Sequence, residues 1–378
     1  MKRNILLHLL IIPFLILSCG GNKSAKEDNE GDSLLFKYAK NISIVKYSDG
    51  YYVVKLADPW TRGKILHTYI LQKKGTKTNT NIKGSTIVNI PLRKALVSTS
   101  VHCELVKDIS REDCISGVCD AQYIKSEWIQ KKLKSGKIAD CGNSISPNIE
   151  KIIEISPDAI LLSPMQNTGG YGKVENLGIP IIELADYMEP TALGRAEWIK
   201  FYALLFGGLD EGLHFFDKMQ ESYLSLKEKA SETKTRPTII MDKQVNGIWY
   251  LPGGKSTISQ ILSDAGTKYV YAQDKSVGSI QKSFESILDS NGNSDIWLMR
   301  YFKTGDKPMS LKELATENKG YTMFKAYRRS MVYGCNTATY SFFEDTPFRP
   351  DLLLKDIIII AHPEIKGLGE TRYFKKLK

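Results

Sequence analysis

Short apolar runs that alternate with helical segments are the feature that most limits how this chain of 378 residues can fold. From Leu92 onward, strand patterns occur at Ala95–Thr99, Ala159–Ser163 and Ile179–Leu184, and Asn148–Ile155 has the pattern of a helix. Strands that alternate with helices are typical of parallel sheets, because parallel neighbours need a crossover connection. We therefore predict an α/β fold.

A long helical pattern separates this first α/β unit from a second one. Apolar residues recur at helical spacing from Asp210 to Ser231, enough for about 30 Å of helix. Strand patterns follow at Thr238–Met241, Ile248–Leu251 and Asp295–Met299. The pattern predicts two Rossmann-like lobes joined by a single long helix.

The two units also share a short internal echo. Ser146-Pro-Asn-Ile-Glu150 leads to Asp158 and an apolar strand, and Ser283-Phe-Glu285 leads to Asp295 and another apolar strand. Because the echo stands at the same stage of each unit, we interpret it as an internal pseudo-repeat rather than chance.

The N-terminus has the three regions of a secretion signal: the positive charges of Lys2 and Arg3, the apolar run Ile5–Leu17, and a small residue before Cys19. The apolar run is too short to span a bilayer. Ile16-Leu17-Ser18-Cys19 resembles the bacterial lipobox, in which the cysteine is acylated before cleavage. An ordinary signal peptide with a coincidental cysteine is the alternative.

The residues after Cys19 are polar up to Ser33, a composition that predicts a flexible tether. The next stretch has strand patterns on both sides of the hairpin signal Ser48-Asp49-Gly50, which predicts β structure. We therefore divide the chain into a signal peptide (1–18), a lipidated tether (19–33), a β appendage (34–91), a first lobe (92–208), a linking helix (209–235) and a second lobe (236–378).

The excess of 52 basic over 42 acidic residues gives a formal charge of +10, and the basic residues are scattered. An exported protein meets no nucleic acid, so we interpret this charge as a solvated surface. Five cysteines remain after acylation of the first. Cys114 with Cys119, and Cys103 with Cys141, could pair in an oxidising compartment and leave Cys335 free. The connectivity stays open, and the histidines lie too far apart to predict a metal site.

Three phrases of the first lobe carry a family resemblance: Ala139-Asp-Cys-Gly142, Asn148-Ile-Glu-Lys-Ile152 and Ser156-Pro-Asp-Ala-Ile-Leu161. They resemble the helical-backbone periplasmic binding proteins, which serve ABC importers of ferric siderophores, haem and cobalamin. The resemblance covers roughly residues 92 to 362. Ala185-Asp-Tyr-Met188 and Gly194-Arg-Ala-Glu-Trp-Ile199 resemble a Bacteroidetes-type branch of these lipoproteins. The β appendage departs from the family plan.

The resemblance implies that a ligand binds in a shallow cleft between the lobes and that the chain is not an enzyme. In the family, one acidic residue on each lobe pairs with the permease, and these positions fall on Glu150 and Glu285. A favourable interaction with the helix dipole is the alternative role of both. The implied partners are an iron complex or corrinoid, the permease and, through the lipid on Cys19, a membrane. We expect a periplasmic monomer without a cofactor; outer-membrane or surface anchoring stays open.

Candidate ligand contacts follow from the rule that open α/β sheets bind ligands beyond the carboxyl ends of their strands. These ends supply Ser100, His102, Met165, Gln166, Tyr187, Trp249, Tyr250, Arg300 and Tyr301. Aromatic walls suit a flat ligand, and the planar fork of Arg300 suits an acidic group. Neighbouring strand residues face opposite ways, so we expect only one of Trp249 and Tyr250 to face the cleft. The alternatives are a packing role for Met165 and a hydrogen-bonded loop role for His102.

Other functions fit the sequence less well. It contains no Gly-x-Ser-x-Gly or His-Glu-x-x-His motif, so catalysis is not predicted. Receptors for zinc or manganese ions use several histidines, and this chain has few in suitable places. A surface lipoprotein that scavenges the same ligands without an importer is the remaining alternative.

Overall fold

The computed structural model describes residues 31–78, 80–165, 170–305 and 307–378. Within these ranges the predicted α/β class is confirmed, since two largely parallel sheets are flanked by helices and joined through one long helix. The predicted signal peptide, Cys19 and tether residues 20–30 lie outside the described residues. None of the described helices has both the length and the apolar character needed to cross a bilayer.

A five-stranded sheet forms the β appendage. Its strands follow each other in chain order: β1 (Asp32–Leu34), β2 (Ile42–Lys46), β3 (Tyr52–Ala57), β4 (Ile65–Lys73) and β5 (Ser85–Ile90). Neighbours pair antiparallel up to β4, and β5 runs parallel to β4. The first strand begins within the last residues that we assigned to the tether. Ile44, Val54 and Leu56 are buried in the main core, which joins the appendage to the first lobe.

The first lobe has a parallel sheet of order β10-β9-β6-β7-β8. Its strands are β6 (Ala95–Val97), β7 (Ile115–Val118), β8 (Ala139–Asp140), β9 (Ala159–Leu162) and β10 (Ile181–Glu183). Its α-helices are α1 (Ser100–Asp108), α2 (Glu127–Lys134), α3 (Ile149–Ile155), α4 (Ala192–Glu197) and α5 (Ile199–Phe206). The central strands β6 and β9 are fully buried, as expected of a sheet covered on both faces.

Two buried glutamates hold the segment between β1 and β2 against the first lobe. The carboxylate of Glu197 accepts hydrogen bonds from the backbone N–H groups of residues 37, 38 and 39 at 2.7–2.9 Å, and it pairs with Lys200 at 2.8 Å. Glu189 accepts from the backbone N–H groups of residues 40 and 41 and from the indole of Trp198. Both glutamates are fully buried. The appendage is therefore fixed to the first lobe through its backbone.

The linking helix α6 (Leu209–Ser231) begins where the sequence predicted and ends four residues earlier. Its buried side chains recur every three or four residues, so one stripe faces the protein interior. Gly212 lies where α6 crosses α5, and a Cβ there would stand 2.4 Å from the Cβ of Ala203. The close crossing of the two helices therefore requires glycine at this position.

The second lobe contains a sheet of order β14-β11-β16-β17-β18, in which only β18 is antiparallel. Its strands are β11 (Thr238–Met241), β14 (Lys268–Tyr269), β16 (Ile296–Tyr301), β17 (Val332–Asn336) and β18 (Lys375–Lys376). A separate antiparallel sheet contains β12 (Gln244–Val245), β13 (Ile248–Pro252) and β15 (Ser279–Lys282). Thus the strand predicted at Ile248–Leu251 exists but is not part of the parallel sheet.

The α-helices of the second lobe are α7 (Thr257–Asp264), α8 (Phe284–Asn291), α9 (Leu311–Glu317), α10 (Lys325–Arg328), α11 (Phe342–Asp345) and α12 (Pro350–Ala361). Helix α6 packs against α5 of the first lobe and against α12 and α7 of the second. It therefore contacts both lobes.

The two lobes have the same strand order. The series β10-β9-β6-β7 of the first corresponds to β17-β16-β11-β14 of the second, so β9 is equivalent to β16. The carboxylate of Asp158, before β9, accepts from the backbone N–H groups of residues 93 and 94, which precede β6. Asp295, before β16, accepts from the N–H and hydroxyl of Thr238 at the start of β11. The echo therefore marks equivalent places in the two lobes.

We expect Asp295→Asn to reduce the sensitivity of the fold to acid. Although partial burial acts in the opposite direction, hydrogen bonds from Lys325 and Thr238 hold the pKa of Asp295 at about 2, below its ordinary value of 3.8. A lowered pKa stabilises the fold above the unfolded-state pKa, and this contribution is lost as the pH falls from 3.8 toward 2. The side chain is 38% exposed, so we expect a modest effect.

Urea unfolding of the wild type and of Asp295→Asn across this acid range measures how much stability each loses as the pH falls. Asp289→Asn, at an exposed position of α8, is the control, and an equal acid response of the two variants would contradict the expectation.

The five cysteines of the described chain are all buried free thiols, so the two bridges considered from the sequence are not formed. Cys114 and Cys119 stand at opposite ends of the extended strand β7. At about 3.3 Å per residue they lie beyond the ~7 Å Cα separation that a disulfide can bridge.

Candidate functional site

A groove of about 760 Å³ lies at the carboxyl ends of β6 and β9 in the first lobe. Ser98 and Thr99 follow β6, Ser163 and Met165 follow β9, and Ile145 comes from the loop before α3. Ile145 and Met165 are 81% and 54% exposed, although both are large apolar side chains. The groove therefore combines hydroxyl groups with an apolar surface that is open to solvent.

Two contacts join the second lobe to the first near the strand ends that border this groove. The hydroxyl of Ser100 donates a hydrogen bond to the carboxylate of Glu344 at 3.2 Å. The ammonium group of Lys125 lies over the ring of Phe302, 5.5 Å from its centroid. Each contact joins one lobe to the other beside the strand ends, so the two lobes together form the cleft.

Arg300 and Asp242 form an ion pair at the strand ends of the second lobe. Arg300 Nε donates to one oxygen of Asp242 at 2.8 Å, and a terminal nitrogen of the guanidinium donates to the other oxygen. The guanidinium also lies 5.6 and 5.5 Å from the ring centroids of Phe342 and Phe343. Asp242 has φ +59°, a conformation that aspartate tolerates better than most residues. The pair carries no net charge toward the cleft.

A buried hydrogen-bond network supports the floor of the groove. The two ring nitrogens of His102 contact Thr99 Oγ1 at 2.6 Å and Asp186 Oδ1 at 2.8 Å. Asp186 also accepts from Tyr202 and Arg195. Burial by itself would raise the pKa of Asp186, but its charged and hydrogen-bonding neighbours hold that pKa well below its usual range. The network joins the residues that follow β6 to those that follow β10.

A model of the periplasmic binding protein family matches residues 113–339, more than half of the chain. The chain belongs to the periplasmic binding protein family. A curated relative, an uncharacterized lipoprotein of Methanocaldococcus jannaschii, is 28% identical over 374 residues and covers 90% of this chain and 85% of its own.

Solved structures of periplasmic binding proteins have the same fold. A periplasmic haem-binding protein from Pseudomonas aeruginosa has a TM-score of 0.57 at 12% identity, covering 76% of this chain and 98% of its own. An Fe³⁺-hydroxamate transport protein from Saccharomonospora viridis has 0.56 at 17%, covering 72% and 94%. A vitamin B12-binding protein of Vibrio cholerae has 0.51 at 16%, covering 73% and 99%. At these identities the likeness concerns the fold alone.

Three residues that we predicted as ligand contacts are buried in the interior of this periplasmic binding protein, so these three predictions are corrected. His102 is 4% exposed and serves the buried network described above. Trp249 is fully buried, stacks on Trp297 and donates its indole N–H to the Met241 carbonyl. Tyr301 is 6% exposed, and its hydroxyl accepts from a backbone N–H. The polar atoms of these rings have hydrogen-bond partners in the interior, so none of the three offers a free polar group to a ligand.

The other predicted contacts lie at or near the surface. Ser100 and Arg300 border the cleft, and Met165 lines the groove. Tyr187 is half-buried and donates its hydroxyl to the carbonyl of residue 164, next to Met165. Tyr250 is 40% exposed beside the buried Trp249, so the two face opposite ways as predicted, but no described contact joins Tyr250 to the groove. Gln166 lies outside the described residues.

Glu150 and Glu285 occupy equivalent positions in the two lobes. Each is the second residue of its helix, after the capping residues Asn148 and Ser283. Both are exposed, and neither has a hydrogen bond or ion pair with another residue of the described ranges. Their charges therefore face solvent from the first turns of α3 and α8.

Other residues of the cleft were not singled out from the sequence. Asp242 and Phe302 directly follow strands β11 and β16, so the strand-end rule could have identified them. Lys125, Phe343 and Glu344 lie in short segments without a periodic pattern. They reach the cleft only because the lobes fold against each other.

Proposed function

We propose that this chain is the substrate-binding lipoprotein of an ABC importer, anchored through the lipid on Cys19 on the periplasmic side of a membrane. It captures an iron complex (ferric siderophore or haem) or a corrinoid between its lobes. The observation that carries the proposal is the open groove at the strand ends of the first lobe, which combines apolar and hydroxyl side chains. Phe302 and Phe343 are exposed on the second lobe. Such a surface suits a large ligand with both apolar and polar edges.

The comparisons support the proposal at the level of the family, whose members bind small ligands. The Pseudomonas, Saccharomonospora and Vibrio proteins are named for haem, Fe³⁺-hydroxamate and vitamin B12. The curated relative is an archaeal lipoprotein, which supports the anchor and gives no support to a Bacteroidetes-type branch. Binding and release require no bond chemistry, so we propose no catalytic role.

Titration of the purified full chain with a ferric hydroxamate, haem and cobalamin tests the proposal. Tryptophan fluorescence and ligand absorbance both report binding. We expect one class to bind at micromolar concentration or below, and absence of binding by all three would refute the proposed ligands. Scavenging without an importer is the alternative. Ligand uptake by cells that carry variants of Glu150 and Glu285 separates the two.

We expect Arg300→Ala to weaken binding of an acidic ligand at least about tenfold, because it removes a cation and leaves the carboxylate of Asp242 unpaired. The double variant Arg300→Ala/Asp242→Ala removes both charges of the pair. If repulsion by Asp242 causes the loss, the double variant recovers part of the affinity. If Arg300 itself binds the ligand, both variants are equally weak. An unchanged affinity in Arg300→Ala would exclude Arg300 from the site.

A further inference from the structure

A second cavity, of about 540 Å³, lies at the seam between the β appendage and the first lobe. Strands β4 and β5 contribute His67, Thr86 and Ile87, and the first lobe contributes Tyr171 and Glu183. The volume falls in the range of roughly 300–1,000 Å³ that is typical of small-ligand sites. Tyr171 also lines the first-lobe groove, so its side chain lies between the two spaces.

A buried carboxylate in this cavity lacks a hydrogen bond on one oxygen. Glu183 is 9% exposed, and its Oε1 accepts from the Tyr171 hydroxyl at 3.1 Å. Its Oε2 has no hydrogen-bond partner among the described residues. His67 Nδ1 stands 3.7 Å from it, too far for a hydrogen bond. Because an unpaired buried acceptor is costly, this oxygen favours a donor from outside the protein.

The charges around the cavity are acidic, although the chain carries a net charge of +10. Glu175 and Glu183 both line it, and no lysine or arginine is among its described lining residues. Burial lowers the pKa of His67, so the imidazole does not offset these carboxylates at neutral pH. Burial also raises the pKa of Glu183, as expected of a carboxylate without a cationic partner. The cavity therefore favours a cation.

Apolar walls give this cavity the character of a site for an organic ligand. Ile87 projects from β5 with 48% of its surface exposed, and Ile179, Pro180 and Ile181 are only partly buried. A bare metal ion prefers several oxygen or nitrogen ligands and gains nothing from such walls. An organic ammonium ion uses both features of the cavity.

We propose that this seam cavity binds a small organic ammonium ion, whose N–H donates to the carboxylate of Glu183 while its carbon skeleton packs on Ile87 and Ile181. This site is independent of the importer function, because it requires neither the groove nor the docking glutamates. It gives the β appendage a role in binding, since one wall of the cavity belongs to that sheet.

Calorimetric titration of the purified full chain at neutral pH tests the site. The probes are 2-phenylethylammonium and n-hexylammonium, with 2-phenylethanol as the neutral control. We expect both cations to bind in the millimolar range or tighter, and the alcohol at least about tenfold more weakly. Glu183→Gln should weaken both cations at least about tenfold and leave the alcohol unchanged. Glu154→Gln, at an exposed glutamate of α3, should bind as wild type.

Ile87→Arg covers the case in which Glu183→Gln does not fold, because Ile87 is half-exposed and its replacement places a cation at the cavity mouth. This variant should also lose cation binding. The proposal is overturned if neither cation binds wild type, if the alcohol binds as tightly as the cations, or if either variant retains wild-type affinity for the cations.

Discussion

Glu197→Ala should lower the free energy of unfolding by about 3–5 kcal/mol, the usual result of removing one partner of a buried ion pair. It leaves the ammonium group of Lys200, whose side chain is 10% exposed, without its carboxylate. It also removes the acceptor for three backbone N–H groups of the appendage. Domains are stable by only about 5–15 kcal/mol, so this loss is a large fraction of the total.

Urea unfolding measures the loss, and hydrogen exchange at residues 37–39 locates it. Glu211→Ala is a matched control, because Glu211 pairs with Arg111 at 2.7 Å but is 46% exposed. An exposed ion pair contributes little to stability, so the control should stay close to wild type. Equal losses in both variants, or unchanged exchange at residues 37–39, would contradict the role assigned to Glu197.

Reversal of both docking charges, Glu150→Arg with Glu285→Arg, should abolish ligand delivery while ligand affinity stays unchanged. Stability should fall only slightly, because each arginine stands at the positive end of a helix dipole. Both side chains are exposed and have no side-chain partner among the described residues, so the reversals break no described contact of the fold. Against basic permease residues, each reversal converts an attraction into a repulsion that costs several kcal/mol. Together they should weaken association at least about a hundredfold.

Ligand-dependent uptake by cells that carry the variant measures this loss. Glu154→Arg with Asp289→Arg is the control, since it reverses one exposed charge on each of the same two helices, α3 and α8. Loss of uptake in the docking variant alone supports an importer. Wild-type uptake by the docking variant would instead favour the scavenging alternative.

The α/β class, the linking helix and the equivalent positions of Glu150 and Glu285 in the two lobes could be predicted because their signals are local. Apolar runs of strand length alternate with helical periodicity, and the echo repeats one capping and strand-entry pattern in each lobe. The local signal does not show which strands pair with each other. For this reason the strand β13 could be predicted, but its place in the separate antiparallel sheet could not.

Candidate contacts were predicted less well, because sequence shows where a strand ends but not which side chain remains exposed there. Tyr301 follows Arg300 in β16, yet Arg300 borders the cleft and Tyr301 is buried. Trp249 belongs to an aromatic cluster with Trp297, Tyr321 and Phe324, whose members are up to 75 positions apart. Burial of this kind depends on packing between distant segments.

By itself, the sequence determined the alternation of strands and helices, the linking helix and several strands with their ends, because these properties follow from periodicity and capping over a few residues. Only the tertiary structure decided how the appendage is held and where charges meet. Glu197 and Glu189 accept from backbone groups about 150 residues away, and Arg300 pairs with Asp242. Such contacts depend on the packing of distant segments, because a buried charge must find a partner wherever the fold brings one.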